Sequence, residues 1–145
     1  MTSELFQIAD SVAAEINGVW WTLDFTADAA SVVVTDRKDL TAAKCTVVPL
    51  TTRKKGFSRA ADLYDHVVAV VFEAPVTGPA DPLCDQAAAV VQAIERFFRG
   101  RRLAAMPECL CIDTAWPPDS AFSQEKIVRA TKFFSVLALT YRMVA

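Results

Sequence analysis

The last stretch of the chain, Lys132-Phe-Phe-Ser-Val-Leu-Ala-Leu-Thr-Tyr-Arg-Met-Val144, limits the possible folds more than any other. It is dense in aromatic and β-favouring residues and contains no Gly or Pro, which predicts a strand. Side chains alternate across a strand. Phe133, Ser135, Leu137, Leu139, Tyr141 and Met143 therefore share one face, mostly core. Phe134, Val136, Ala138, Thr140, Arg142 and Val144 share the other, which is mixed. At about 3.4 Å per residue the strand would run about 40 Å. A strand so long and largely buried needs a neighbour on each side, and the rest of the chain must supply both.

The whole chain is 145 residues and 53% hydrophobic, enough for one domain (1–145) with a substantial core. Residues 3–17 read as a helix, capped by Thr2 or Ser3 and closed by Gly18 as its C′ residue. Leu5, Ile8, Val12 and Ile16 form its apolar stripe. Val19–Phe25 alternates as a strand would. Trp20 and Trp21 then face opposite ways, and one of them covers an edge or a subunit contact, or stays half-buried on a monomer. Ser31–Thr35 reads as a short strand and Lys44–Leu50 as a better one, with Pro49 marking an edge or an end. Leu63–Ala74 is apolar on both faces in its middle, which predicts a central strand paired with Lys44–Leu50 across a long tip.

Asp81 caps a second helix with Pro82 in its first turn, and Gly100 stops it. Leu83, Ala87, Val90, Ile94 and Phe97 face its core. Arg96, Arg99, Arg101 and Arg102 suit the negative end of the helix dipole. Glu108–Thr114 reads as a strand with Cys109, Cys111 and Asp113 on one side. A turn or two of helix around Gln124–Ala130 precedes the last strand. The whole predicts an α+β fold: a mixed or antiparallel sheet of four to six strands with two main helices on one face.

Charge is divided along the chain. Residues 1–40 hold seven acidic and two basic side chains, whereas Lys44–Arg59 holds five basic and no acidic ones. The basic stretch Thr51–Arg59 reads as a polar loop, either solvated or in contact with phosphates or a charged partner. Its Arg53, Lys54, Lys55, Phe57 and Arg59, with Trp20 and Trp21, are the candidate interaction residues.

The net charge of −2 gives no bulk attraction to nucleic acid or membrane. No apolar run reaches the ~20 residues of a membrane helix, and no signal-peptide layout opens the chain. A cytosolic product, or a particle assembled there, is expected.

Chemistry is sparse. His66 lies in mid-strand, with neighbours that point to the opposite face. Cys45, Cys84, Cys109 and Cys111 read as small buried hydrophobes and make no zinc site. Ser123-x-x-Lys126 has a β-lactamase-like spacing without its companion motifs. No catalytic residue, metal or cofactor is expected.

Some stretches do carry a resemblance. They are a strand ending in Val47-Val-Pro49, a basic stretch reaching Ser58-Arg59, and the strand Tyr64–Glu73. A helix and a closing strand with Phe133-x-x-x-Leu137-x-Leu139-x-Tyr141 follow. In this order of elements the chain resembles the tail terminator (tail-completion or neck) proteins of long-tailed bacteriophages. The resemblance implies a structural virion protein in the tail neck, assembled in the host cytoplasm. It implies a homohexameric ring that caps the head-proximal end of the tail tube and ends its polymerisation. Its partners would be the tail tube protein and a head-completion or connector protein. Genomic DNA would pass through the ring without sequence-specific binding, and no membrane is involved. The competing readings are a small ligand-binding or enzymatic α+β domain, and another oligomeric connector, adaptor or chaperone.

Overall fold

The computed structural model describes residues 3–31, 42–56, 62–117 and 121–144. In chain order the elements are α1 (Glu4–Asn17), β1 (Ala27–Ala29), β2 (Lys44–Gly56), β3 (Asp62–Pro75), α2 (Pro82–Phe98), β4 (Leu110–Ala115), α3 (Gln124–Ala130) and β5 (Lys132–Val144). The strands form one sheet in the order β1-β2-β3-β5-β4. β1 runs parallel to β2, and every other pair is antiparallel. This is the expected α+β architecture, a mixed sheet of five strands with two main helices.

β5 has the two neighbours its length calls for. Its full length pairs with β3, from Lys132 opposite Pro75 to Val144 opposite Leu63. Only the half from Ala138 to Arg142 pairs with β4. Along the other half the segment after β4 takes over. The Ser123 N–H donates to the Phe134 carbonyl, and the Ser135 hydroxyl donates to that of Ala121.

One face of the sheet holds the core. Cys45, Val47, Val68, Val70, Phe72, Phe133, Leu137, Leu139 and Tyr141 cluster there with Ile8, Val12 and Ile16 of α1 and Val90, Val91, Ile94 and Phe98 of α2. Both helices thus cover the same face. Burying each large apolar side chain contributes about 1.5–3 kcal/mol. On the opposite face, register sets Thr46, Val71 and Val136 in one row and Val48, Ala69, Ala138 and Ala115 in the next. Charged rows lie beyond them: Lys44 and Glu73 on one side and, past Thr51, Val67 and Thr140, Arg53, Asp65 and Arg142 on the other.

The caps are local and legible. Ser3 Oγ accepts from the Phe6 N–H, and Asp81 Oδ1 accepts from the Leu83 N–H. Ser123 Oγ accepts from the Lys126 N–H, so the Ser123-x-x-Lys126 spacing is a helix cap. Gly100 follows α2 at φ +68, a conformation that favours glycine.

Four expectations need correction. Gly18 closes α1 at φ −84, in the right-handed region, so it is not a left-handed C′ glycine. Val19–Phe25 is not a strand. The Trp21 indole N–H donates to the Ile16 carbonyl at 2.9 Å, and Asn17 bonds both the N–H and the carbonyl of Ala27 at 2.8 Å. These side chains satisfy the helix end and hold the connection until β1 begins. Cys111 and Asp113 do not share a side of β4, because a bulge at Ile112 shifts the register between them. Thr114 thereby turns toward α2, where its hydroxyl meets Glu95 at 2.8 Å. Finally, residues 51–56 are strand, not loop. Of the expected strand Ser31–Thr35, residues 32–35 lie outside the described ones.

Candidate functional site

β2 bends at Leu50, which is the extra residue of a bulge between Pro49 and Thr51. Pro49 has no N–H to lose there, so the break in pairing costs little. Past the bulge β2 stays paired with β3. Arg53 faces Asp65, Lys54 faces Tyr64, and Lys55 faces Leu63. The basic residues therefore stand on an ordered ribbon instead of a loop. Thr51 and Thr52, β-branched, and Asp62 and Asp65, opposite in charge, are the signals that favour this pairing.

The charges are unevenly satisfied. Lys54 Nζ lies 3.2 Å from Asp62, which raises the lysine's pKa, but both groups are well exposed and such a pair stabilises weakly. Asp65 is buried and receives two hydrogen bonds from Arg142, at 2.9 and 3.1 Å. Arg142 is a residue that the sequence alone does not single out for this site. It stands in the same row as Arg53 and Asp65 and adds a second guanidinium to this end of the sheet. Phe57 and Arg59 lie outside the described residues, as does the side chain of Lys55.

The two tryptophans differ in exposure. Trp21 is partly buried, edge-on to Phe97 at 6.0 Å and stacked on Phe25 at 6.4 Å. Trp20 is 84% exposed. Burying a side chain of that size at a contact is what makes Trp a common interface anchor. Asp24 and Asp28, near it in sequence, are exposed too.

The arginines after α2 are engaged within the chain. Arg99 forks onto Glu95, Arg101 reaches Glu15 at 3.1 Å and covers the Phe97 ring at 4.4 Å, and Arg102 donates to the Pro107 carbonyl. They close the helix end and are not gathered toward a ligand.

His66 is buried in the middle of the sheet. Its Nδ1 meets the Thr52 hydroxyl at 2.8 Å, and its ring stacks with Tyr64. Its Nε2 makes no hydrogen bond among the described residues, and the nearest carboxylate, Glu4 of α1, stands 3.6 Å away. Burial lowers the His66 pKa, against the opposing pull of Glu4 and Asp65. The folded protein thus binds this proton less well than the unfolded chain does. Stability should therefore hold above the ordinary value of about 6.5 and fall as pH drops below it. Thermal unfolding of the wild type and of His66→Gln between pH 7.5 and 5.5 checks this, since the Gln variant should lose the decline. Glu4→Gln, which removes the group that favours the proton, should steepen it.

The remaining chemistry is muted. Burial pushes the thiols up, Cys45 to about 12 and Cys109 and Cys111 to about 11, so none is a ready nucleophile. Among the described residues no group of three or more His, Cys, Asp or Glu side chains is placed to hold a metal ion. None of the described helices is long and apolar enough to cross a membrane. No protein-family model matches the chain, and no curated protein matches it.

Proposed function

We propose that the chain is a structural protein of the tail terminator type. It would assemble as a ring on the head-proximal end of a phage tail tube and present the joining surface to the head. The proposal rests on the resemblance in the order and sequence of elements, and one structural observation supports it above the others. The two ends of β2 differ in charge balance: Asp28 and Glu73 stand against Lys44 at its start, and Arg53, Lys54 and Arg142 against Asp62 and Asp65 at its end. Asp28 pairs across from Thr46, and Arg53 lies seven residues further along the strand, a span of about 23 Å. Exposed Trp20 lies in the segment that leads into the acidic end.

A protomer with unlike ends suits head-to-tail contacts, and those close into a ring when each step adds a fixed rotation. Charge would orient such a contact more than strengthen it. The strength would come from an apolar anchor such as Trp20. Assembly should therefore weaken at high salt without vanishing, because screening removes steering and leaves apolar burial. No step of this role calls for catalysis, a metal or a cofactor.

The direct test is tail morphology with the gene deleted. Tubes should lack a defined end and fail to join heads. Tubes of normal length that still join heads would rule the function out. A second arm asks whether this surface is the one used. Trp20→Ala combined with Arg53→Gln, which puts no second carboxylate opposite Asp65, should leave the unfolding midpoint near that of the wild type, as surface changes usually shift stability by about 0.5 kcal/mol or less. It should abolish ring formation or head joining in a complementation assay. Normal infectious yield from that variant would move the contact elsewhere on the chain.

A further inference from the structure

We propose that the cavity between α3 and the first half of β5 binds a small apolar carboxylate, recognised by the Lys126 ammonium beside an aromatic platform. This goes beyond the ring function and does not depend on it.

The cavity measures about 480 Å³, within the usual range for small-molecule sites. Pro117, Phe122, Phe134 and Val136 give it an apolar body, and Lys126 and Glu125 bring charge to its rim. Its walls are fixed in advance. Phe122 stacks on buried Phe133 with ring centres 5.1 Å apart, and the two bonds that tie Ala121 and Ser123 to β5 pin this wall along the strand. The Ser123 hydroxyl caps α3 through the Lys126 N–H, which fixes where the Lys126 side chain departs.

The charges are not equivalent. Glu125 is paired with Arg129 at 3.4 Å. Lys132 also approaches the Phe134 ring, at 5.5 Å, but its ammonium is paired with Glu73. Lys126 lies 4.8 Å from the Phe134 ring centre, and among the described residues no carboxylate is paired with it. It is therefore the lining charge left for a ligand. A lysine is a single point charge without a guanidinium's fork, so it balances one negative charge. One ammonium beside apolar walls suits a monoanion with an apolar ring, which would stack on Phe134 while its carboxylate meets Nζ.

Phenylacetate serves as the probe and phenylacetamide as its neutral control, each titrated against the full chain and followed by backbone amide NMR. Saturable shifts confined to residues 122–126 and 134–136 are expected with phenylacetate, at a dissociation constant on the order of a few mM for a ligand of this size. Phenylacetamide should bind about tenfold more weakly, the factor expected for losing a charge-assisted bond. Lys126→Gln should weaken phenylacetate by a similar factor and leave the amide unchanged, while Lys126→Arg should retain most of the binding. Raising salt to about 0.5 M should weaken the acid and not the amide in the unaltered protein, which tests the charge without any substitution. Shifts that do not saturate, equal binding of acid and amide, or an unaffected Lys126→Gln would each overturn the proposal.

Discussion

Replacing Lys132 by Met should destabilise the protein by about 3–5 kcal/mol, the usual cost of stranding one member of a buried ion pair. Glu73 is 1% exposed in the central strand, and its carboxylate meets the Lys132 ammonium at the start of β5. Removing the lysine leaves a charge with no water to receive it. A loss of that size is a large part of the 5–15 kcal/mol that holds a typical domain together. The converse follows from the same physics. Glu73→Leu made together with Lys132→Met should come back to near wild-type stability or exceed it, because the desolvation of both charges disappears with their attraction. Urea unfolding of the two variants measures both. A single Lys132→Met within about 1 kcal/mol of the wild type would contradict this account. It would mean that Lys44, the residue opposite Glu73 on β2, takes over the carboxylate.

The pair also shows where sequence reasoning stops. Lys132 and Glu73 are 59 positions apart, and neither has a pattern that predicts the other. Their meeting follows from register, in which Pro75 faces Lys132 and Glu73 faces Phe134. Local signals are legible in the sequence. Asp81 with Pro82, Ser3 and the Gln124–Ala130 turn act within a few residues of themselves, and the structure has all three. The alternation of β5 is also plain, since one face is apolar at every position but Ser135.

Alternation misled where loop residues mimicked it. Val19–Phe25 has the period of a strand because Trp21, Leu23 and Phe25 dip toward the core between exposed neighbours. Its ends are held by side chains, Trp21 on Ile16 and Asn17 on Ala27, so no ladder forms there. Charge misled in the opposite direction at residues 51–56. A run of basic residues looks solvated when read alone. Paired with Asp62 and Asp65 it is one side of a ribbon whose outer positions need no apolar side chains. Of the candidate interaction residues, the structure sets Arg53 and Lys54 together on that ribbon and Trp20 in the connection before β1. It takes Trp21 out of the exposed set and adds Arg142. Arg142 carries no sequence signal for this place because it meets Asp65, 77 positions away, only through the register of β3 with β5.

Glu95→Ala should be the second large loss, about 3 kcal/mol, since it leaves polar groups of two other residues without their acceptor. Glu95 lies on α2, 8% exposed. It accepts from the Arg99 guanidinium at 2.6–2.9 Å and from the Thr114 hydroxyl at 2.8 Å. Thr114 reaches it only because the bulge at Ile112 turns that side chain toward the helix. One carboxylate thus ties α2 to the edge strand β4. The three residues should rank in order. Arg99→Ala should cost at most about 1 kcal/mol, because that guanidinium is 65% exposed and water replaces much of what it loses. Thr114→Ala should fall between, at about 1.5–2 kcal/mol, the low end for one hydrogen bond to a charged group.

The same site sets an acid limit. Burial pushes the Glu95 carboxyl up, but the bonds from Arg99 and Thr114 outweigh it and hold the pKa below the usual value. The folded state then binds this proton less readily than the unfolded chain. Its contribution to stability is present above the ordinary carboxylate value of about 4.3 and is lost as pH falls through the lowered one. That window lies below the one assigned to His66, so the two separate in a pH series. Glu95→Gln should flatten the decline below pH ~4.5 and leave the decline between pH ~6.5 and ~5.5 intact. If Arg99→Ala proves as damaging as Glu95→Ala, the stability lies in the ion pair at the end of α2 and the tie through Thr114 is secondary.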